Sequence, residues 1–228
     1  HPSAVEEPPL ASRGGAPVLD DHFSRELAHL RANLDQILPE RTPRLLLFAG
    51  SVPGEGASTV CARFAQLLAE DPQLRVSLVD ADFRNAGDRP LEPVSPGTGL
   101  AAALEGTLTP AAAVRSTVSG HLDVLPSEGV TANPYPLCAE DRVRPLIDHL
   151  RATYDYAIMD AAPVLSSPET SALAAQVDGV VLVVRAGRTK REIVQRALEQ
   201  LKKNRARVLG VVMNRQQYVI PEFIYRRL

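Results

Sequence analysis

Leu45-Leu46-Leu47-Phe48-Ala49-Gly50-Ser51-Val52-Pro53-Gly54-Glu55-Gly56-Ala57-Ser58-Thr59 is the stretch on which the reading of this chain turns. An apolar run gives way to a glycine-rich turn, and the turn opens a segment in which Val60, Phe64, Leu67 and Leu68 share one side. The pattern predicts strand, turn and helix in immediate succession. Glycines in such a turn let consecutive backbone N–H groups point into one concavity, and the start of the helix adds partial positive charge. The stretch suits phosphate. A serine- and glycine-rich turn with no ligand is the plainer alternative, and the carboxylates further along the chain argue against it.

Against the phosphate-loop pattern G-x-x-x-x-G-K-[ST], Ser51 stands at the first glycine, Gly56 at the second, and Ser58 at the hydroxyl that would reach a magnesium ion. Ala57 stands where the lysine should be. That lysine follows the β- and γ-phosphates and steadies charge in the transition state. A unit charge pair at ~4 Å gives about 4 kcal/mol gross at an effective dielectric of ~20, roughly a thousandfold in rate. Phosphate binding tolerates such a loss better than phosphoryl transfer does. Lysine occurs elsewhere only at Lys190, Lys202 and Lys203, so a replacement has to come from a distant segment or another subunit.

With 228 residues and 45% hydrophobic content, the chain can bury one substantial core. Its net charge of −2 gives no electrostatic preference for nucleic acid, and none is expected as a partner. Cys61 and Cys138 lie far apart without metal-ligand spacing, which fits a reducing, cytoplasmic setting, and Cys61, three residues after Ser58 in the predicted helix, is expected to be a buried free thiol. The stretch His1 to Asp20, rich in proline, alanine and glycine, reads as a flexible arm or linker. Residues 21–228 are expected to form a single domain. A chain that opens on His1 rather than methionine is expected to be preceded by further sequence, such as a membrane segment.

Phe23, Leu27, Leu30 and Leu34 recur at helical spacing and predict a helix over 21–37, ended by Pro39 and Pro43. Further short apolar runs stand at Val76–Val79, Leu122–Leu125, Tyr156–Met159, Val180–Val184 and Val208–Val212, with helical stretches between most of them. This alternation predicts an α/β fold, a parallel sheet with helices on both faces. Ligands of such sheets gather beyond the strands' carboxyl ends. There the second run leads into Asp80-Ala81-Asp82-Phe83-Arg84, whose two carboxylates point the same way, and Asp160 ends the run from Tyr156. Any one aspartate is explained as a cap or turn residue. Together beside Ser58 they offer the hard oxygen donors that magnesium takes. Ile193, Ala197 and Leu201 predict a packed surface helix, and Ile220, Phe223, Ile224 and Leu228 one side of a short helix.

On these residues the chain resembles the bacterial tyrosine kinases, the BY-kinase family of phosphate-loop proteins that regulate capsule and exopolysaccharide synthesis. The resemblance runs from about residue 21 to the end. It is carried by Ser51 to Gly56 with Ser58-Thr59, by the Asp80-x-Asp82-x-Arg84 box and by Tyr154-Asp155-Tyr156 leading to Asp160. Gly99-Leu100, Leu104-Glu105-Gly106, Asn133-Pro134, Asp178-Gly179, Val184 to Thr189 and Asn214-Arg215 also match. The resemblance implies a P-loop NTPase-like fold that binds ATP or ADP with magnesium. It implies that Gly54, Glu55, Gly56, Ala57, Ser58 and Thr59 line the phosphates and that Asn214 lies near the adenine. Ser58, Asp80 and Asp160 become the metal set, and Asp80, Asp82 and Asp160 the residues that activate the acceptor hydroxyl. Arg84 is carried over to the nucleotide site, with a surface ion pair as an equal alternative.

The departures carry as much information. Besides Ala57, the family's threonine and first proline after the third aspartate are Ala161 and Ala162. The E-x-x-R-x-x-R motif of ring assembly reads Arg25, Ala28 and Arg31, so only its last position matches, and self-association is expected to suffer. The tyrosine-rich tail is reduced to Tyr218 and Tyr225. The resemblance thus implies a pseudokinase that regulates polysaccharide export beside a membrane chain-length-determinant or co-polymerase protein, at the inner membrane or as the cytoplasmic part of a membrane protein. Three other readings stay open. A lysine-to-alanine variant of an active autokinase explains Ala57 but not the sparse tail. A ParA- or MinD-like positioning ATPase shares the aspartate strand but carries an extra early lysine where Val52 and Pro53 stand here. A module that binds no nucleotide gives no reason for three neighbouring carboxylates.

Overall fold

The protein is described by a computed structural model covering residues 20–38, 43–84, 97–117, 120–128 and 133–215. The N-terminal helix α1 (Asp20–Ile37) precedes strand β1 (Arg44–Gly50), and the loop after β1 runs into α2 (Ala57–Ala69) and β2 (Val76–Ala81). Then come α3 (Leu100–Glu105), α4 (Pro110–Ala113), β3 (Arg115–Ser116) and β4 (Leu122–Leu125). A 3-10 turn (Tyr135–Cys138) leads into α5 (Glu140–Thr153) and β5 (Tyr156–Ala161). Helix α6 (Pro168–Ala174), β6 (Gly179–Arg185), α7 (Arg191–Lys203) and β7 (Val208–Asn214) complete the described residues. All six apolar runs of the sequence are strands. Residues 1–19 of the expected arm, and the tail with Tyr218, Ile220, Phe223, Ile224, Tyr225 and Leu228, lie outside the described residues.

Among the described residues the strands form one seven-stranded sheet in the order β3-β4-β2-β5-β1-β6-β7. All neighbours are parallel except β3, which pairs antiparallel with β4. Parallel strands need covered crossovers, and the helices supply them on both faces. On one face Leu46, Phe48, Leu78, Ile158 and Val181 meet α1 and α2. On the other Leu47, Val79, Met159 and Leu182 meet α3, α5, α6 and α7.

The core, rather than end-capping, holds the helix after the loop. Val60, Cys61, Phe64 and Leu68 of α2 are buried on the sheet, and the rings of Phe64 and Phe48 lie 5.4 Å apart. Burying one such side chain contributes roughly 1.5–3 kcal/mol, whereas no side chain caps the N-terminus of α2. That end is left facing the carboxyl edge of the sheet.

Candidate functional site

The loop leaves β1 at Gly50 and closes on Gly56, the N-cap of α2. Gly54 has φ +83° and Gly56 φ +84°, left-handed conformations that a side chain disfavours. At Gly56 a Cβ atom would also lie 2.3 Å from Nδ2 of Asn214. The Val60 N–H bonds the Gly56 carbonyl, and the helix amides ahead of it have no side-chain cap. Orphan amides at a helix start are an anion site in waiting. Ser58 and Thr59 lie in this first turn. Ala57 is the first helical residue, and its half-buried methyl packs toward the core under α2.

Glu55 turns inward. Its carboxylate, only 3% exposed, accepts from the backbone N–H groups of Ser51 and Val52, the latter at 2.9 Å, and from the hydroxyl of Thr189. Its carbonyl accepts from Nδ2 of Asn214 at 2.9 Å. The loop is thereby tied to the segment after β6 and to the end of β7. Asn214 is thus anchored on the loop, and Arg215, with φ +55°, donates its N–H to Asn214 Oδ1 at 2.8 Å.

The carboxylates gather as the strand pattern predicts. Asp80 and Asp160 are register partners on β2 and β5, on strands about 4.8 Å apart. They are 5% and 6% exposed. Asp82 follows just beyond β2, half-buried, and its N–H bonds Asp80 Oδ1 at 3.2 Å. Both strand carboxylates lie on the α2 side of the sheet, since strand alternation sends them the same way as Leu78 and Ile158, which pack with Cys61 and Phe64 of α2. Burial first, and then Asp160 and Asp80, push the Cys61 thiol well above its usual value. Cys61 is a buried free thiol, as the sequence predicts, and Cys138 is one too. Among the described residues no three His, Cys, Asp or Glu side chains converge on one point in the manner of a metal cage.

Arg84 forms an ion pair. Its Nε and Nη2 both bond the carboxylate of Glu169, Nη2 at 3.0 Å, and its own N–H bonds Asp82 Oδ1 at 3.0 Å. The partner is not a surface group: Glu169 is fully buried in the first turn of α6, while the Arg84 side chain is 48% exposed. Glu169 is the residue that sequence reasoning missed, and Thr189, which belongs to a matching stretch, carried no role there. Neither has a local signal, since Glu169 reads as a first-turn acidic residue and Thr189 as a loop hydroxyl. Lys190 follows Thr189 directly and so lies at the carboxyl edge of the sheet, while Lys202 and Lys203 close α7 at the opposite edge.

Two further aspartates of the quoted motifs serve the far edge of the sheet. Asp155 Oδ2 accepts the Arg75 N–H at 2.8 Å, and Asp178 Oδ2 accepts the Leu45 N–H at 2.8 Å. They align strand starts.

A parallel sheet with a phosphate-type loop after its interior strand β1, and paired carboxylates on the two strands to one side, defines a P-loop NTPase-like fold. The kinase domain of Escherichia coli tyrosine kinase ETK superposes with a TM-score of 0.76 at 25% identity, over 86% of this chain and 78% of that one. A ParA family ATPase from Chlorobium tepidum shares the fold, with a TM-score of 0.62 at 22% identity over 76% of this chain and 74% of its own. Tyrosine-protein kinase YwqD of Bacillus subtilis is 30% identical over 84% of this chain and 80% of its own length. Succinoglycan biosynthesis transport protein ExoP of Rhizobium meliloti is 29% identical over 94% of this chain, which spans only 28% of that protein. No family model matches the chain. By these similarities the chain belongs to the bacterial tyrosine kinase family.

Proposed function

We propose that this chain is a nucleotide-binding regulator of exopolysaccharide or capsule synthesis that keeps the kinase fold without transferring phosphate. The observation that carries the reading is Ala57 at the first helical position, where the loop pattern has its lysine. The residues present fit a magnesium nucleotide: two left-handed glycines, uncapped amides at the start of α2, the Ser58 hydroxyl and the Asp80–Asp160 pair. A bound nucleotide would bring the polyphosphate, and magnesium would neutralise part of its charge. The chain's own part is to hold it. Backbone amides bind phosphate without a lysine, but a methyl group at position 57 cannot follow charge onto the β- and γ-oxygens.

In this reading Gly54, Gly56, Ser58 and Thr59 contact phosphate, with Ser58, Asp80 and Asp160 toward the metal. Asp82 stands where an acceptor hydroxyl would be activated, and Asn214 borders the base. The partner is a membrane chain-length-determinant or co-polymerase protein, supported by the similarity to ExoP, and the place of action is the cytoplasmic face of the inner membrane. Among the described residues no helix is long and apolar enough to cross a membrane.

Calorimetric titration with magnesium-ADP and magnesium-ATP, run beside a phosphotyrosine assay, tests the proposal. Binding without phosphotyrosine is expected. Ala57→Lys is expected to tighten magnesium-ATP binding at least tenfold, given the size of a recovered charge contact. Phosphotyrosine formed by the parent chain, or no binding of either nucleotide, would overturn the reading.

A further inference from the structure

We propose that Glu55 is the positioning residue of the phosphate loop: its buried carboxylate, bonded to the Ser51 and Val52 amides and to the Thr189 hydroxyl, fixes the ligand-receiving shape from within. The inference rests on the nucleotide reading for its ligand but not for its geometry.

A carboxylate persists away from water only where hydrogen bonds replace its hydration. Glu55 has such bonds on both oxygens: Oε2 accepts from Ser51 and Val52, and Oε1 from Thr189. Hydrogen bonds to an ionised acceptor are about twice as strong as neutral ones. Thr189 is itself placed by β6, since its Oγ1 accepts the Arg185 N–H at 3.3 Å. A continuous line of hydrogen bonds therefore runs from the end of β6 through Thr189 and the Glu55 carboxylate to the first two amides of the loop.

A second observation points the same way. A Cβ atom at Gly50 would lie 3.0 Å from Glu55 Oε2 and 3.0 Å from the Val52 carbonyl, closer than real Cβ contacts comfortably come. Gly50 is the residue that lets the carboxylate in. The main chain of Glu55 is held too, by Asn214 Nδ2 on its carbonyl. One residue thus links the ends of β1, β6 and β7. Ser51 and Val52 are bonded internally, while the amides at the start of α2 carry no side-chain cap.

Amide hydrogen exchange of the full chain, followed by NMR, gives a readout independent of nucleotide, and magnesium-ADP titration gives the second. Glu55→Gln and Thr189→Val are expected to raise exchange at Ser51 and Val52 about tenfold or more, the factor of a lost charge-assisted bond. Ile158 and Val181 in the middle of the sheet should keep their protection, and Thr189→Ser, which retains the hydroxyl, should restore the loop amides. Magnesium-ADP affinity is expected to fall and recover in parallel. Unchanged exchange at Ser51 and Val52 in both Glu55→Gln and Thr189→Val, or failure of Thr189→Ser to restore them, overturns the proposal. Loop exchange that responds as expected in a chain that binds no nucleotide upholds the positioning role and rejects the nucleotide reading. Should Glu55→Gln not fold, the valine and serine variants at Thr189 decide the matter alone.

Discussion

Arg84 and Glu169 show what a single contact decides. Two nitrogens of one guanidinium satisfy a carboxylate that no water reaches, so the cost of removing Arg84 is set by the charge left behind. Breaking a buried ion pair costs 3–5 kcal/mol. Because the Arg84 side chain is half exposed, the low end applies, and Arg84→Ala is expected to lower stability by about 3 kcal/mol. Urea unfolding measures it. Replacing both partners in Arg84→Ala/Glu169→Leu should recover much of the loss, since no buried charge then remains. A single variant as stable as the parent would show that solvent, not Arg84, compensates Glu169. The contact fastens the segment after Asp82 to the start of α6. Arg84 is thus held beside the carboxylates by Glu169.

At the scale of elements, α1 is joined to the sheet by a polar cluster around Tyr156. The Tyr156 hydroxyl donates to Asp35 Oδ1 at 2.8 Å and accepts from Arg44, which also bonds Asp35 and lies 5.1 Å from the centre of the Tyr156 ring. Arg31 reaches Asp71 Oδ2 at 3.4 Å, tying α1 to the end of α2. The last arginine of the ring-assembly motif is thus engaged within its own chain. Tyr156→Phe removes one hydroxyl and keeps the ring beneath Arg44, so it is expected to cost about 1–2 kcal/mol and to speed amide exchange in α1 before β5. Equal exchange in both elements would mean that α1 is held by Leu27 and Leu34 instead.

The whole molecule buries several weak acids, and their protons stabilise it. Burial first, with Glu169 adding, raises the Cys138 thiol from 9.0 to about 12. Burial and the hydrogen bond to Asp35 raise Tyr156 from 10.0 to about 12, against the pull of Arg44. Tyr154, whose hydroxyl donates to Asp123 at 2.9 Å, is raised too, again by burial first. In each case the folded chain keeps a proton that the unfolded chain releases. Their stabilisation is complete below the unfolded value and is lost as pH rises toward the folded one. The denaturant midpoint is therefore expected to start falling above pH ~9 and to fall faster above pH ~10. A midpoint that stays level to pH ~11 would contradict this placement of the side chains. In the native state neither thiol should react with maleimide at pH ~8, because the thiolate is the reactive form.

The α/β class, the six apolar strands, the helix at 21–37, the loop and the placing of Asp80 beside Asp160 at one edge of the sheet were legible because each rests on a local pattern. Strand alternation sends Asp80 and Asp82 to one side, and a strand's end sends Asp160 to the same edge. Strand β3 was not legible, since Arg115 and Ser116 are exposed and carry no apolar signal. Nor was the strand order, which depends on crossovers rather than on any one segment. Arg84 and Glu169 are 85 residues apart, and Glu55 and Thr189 are 134. Ala57 and the pattern around it are properties of the sequence alone, and so is the question they raise about phosphoryl transfer. That the loop is held by its own glutamate, and that Arg84 belongs to a buried carboxylate, was decided only when folding brought distant segments to one edge. Burial then made their hydrogen bonds obligatory.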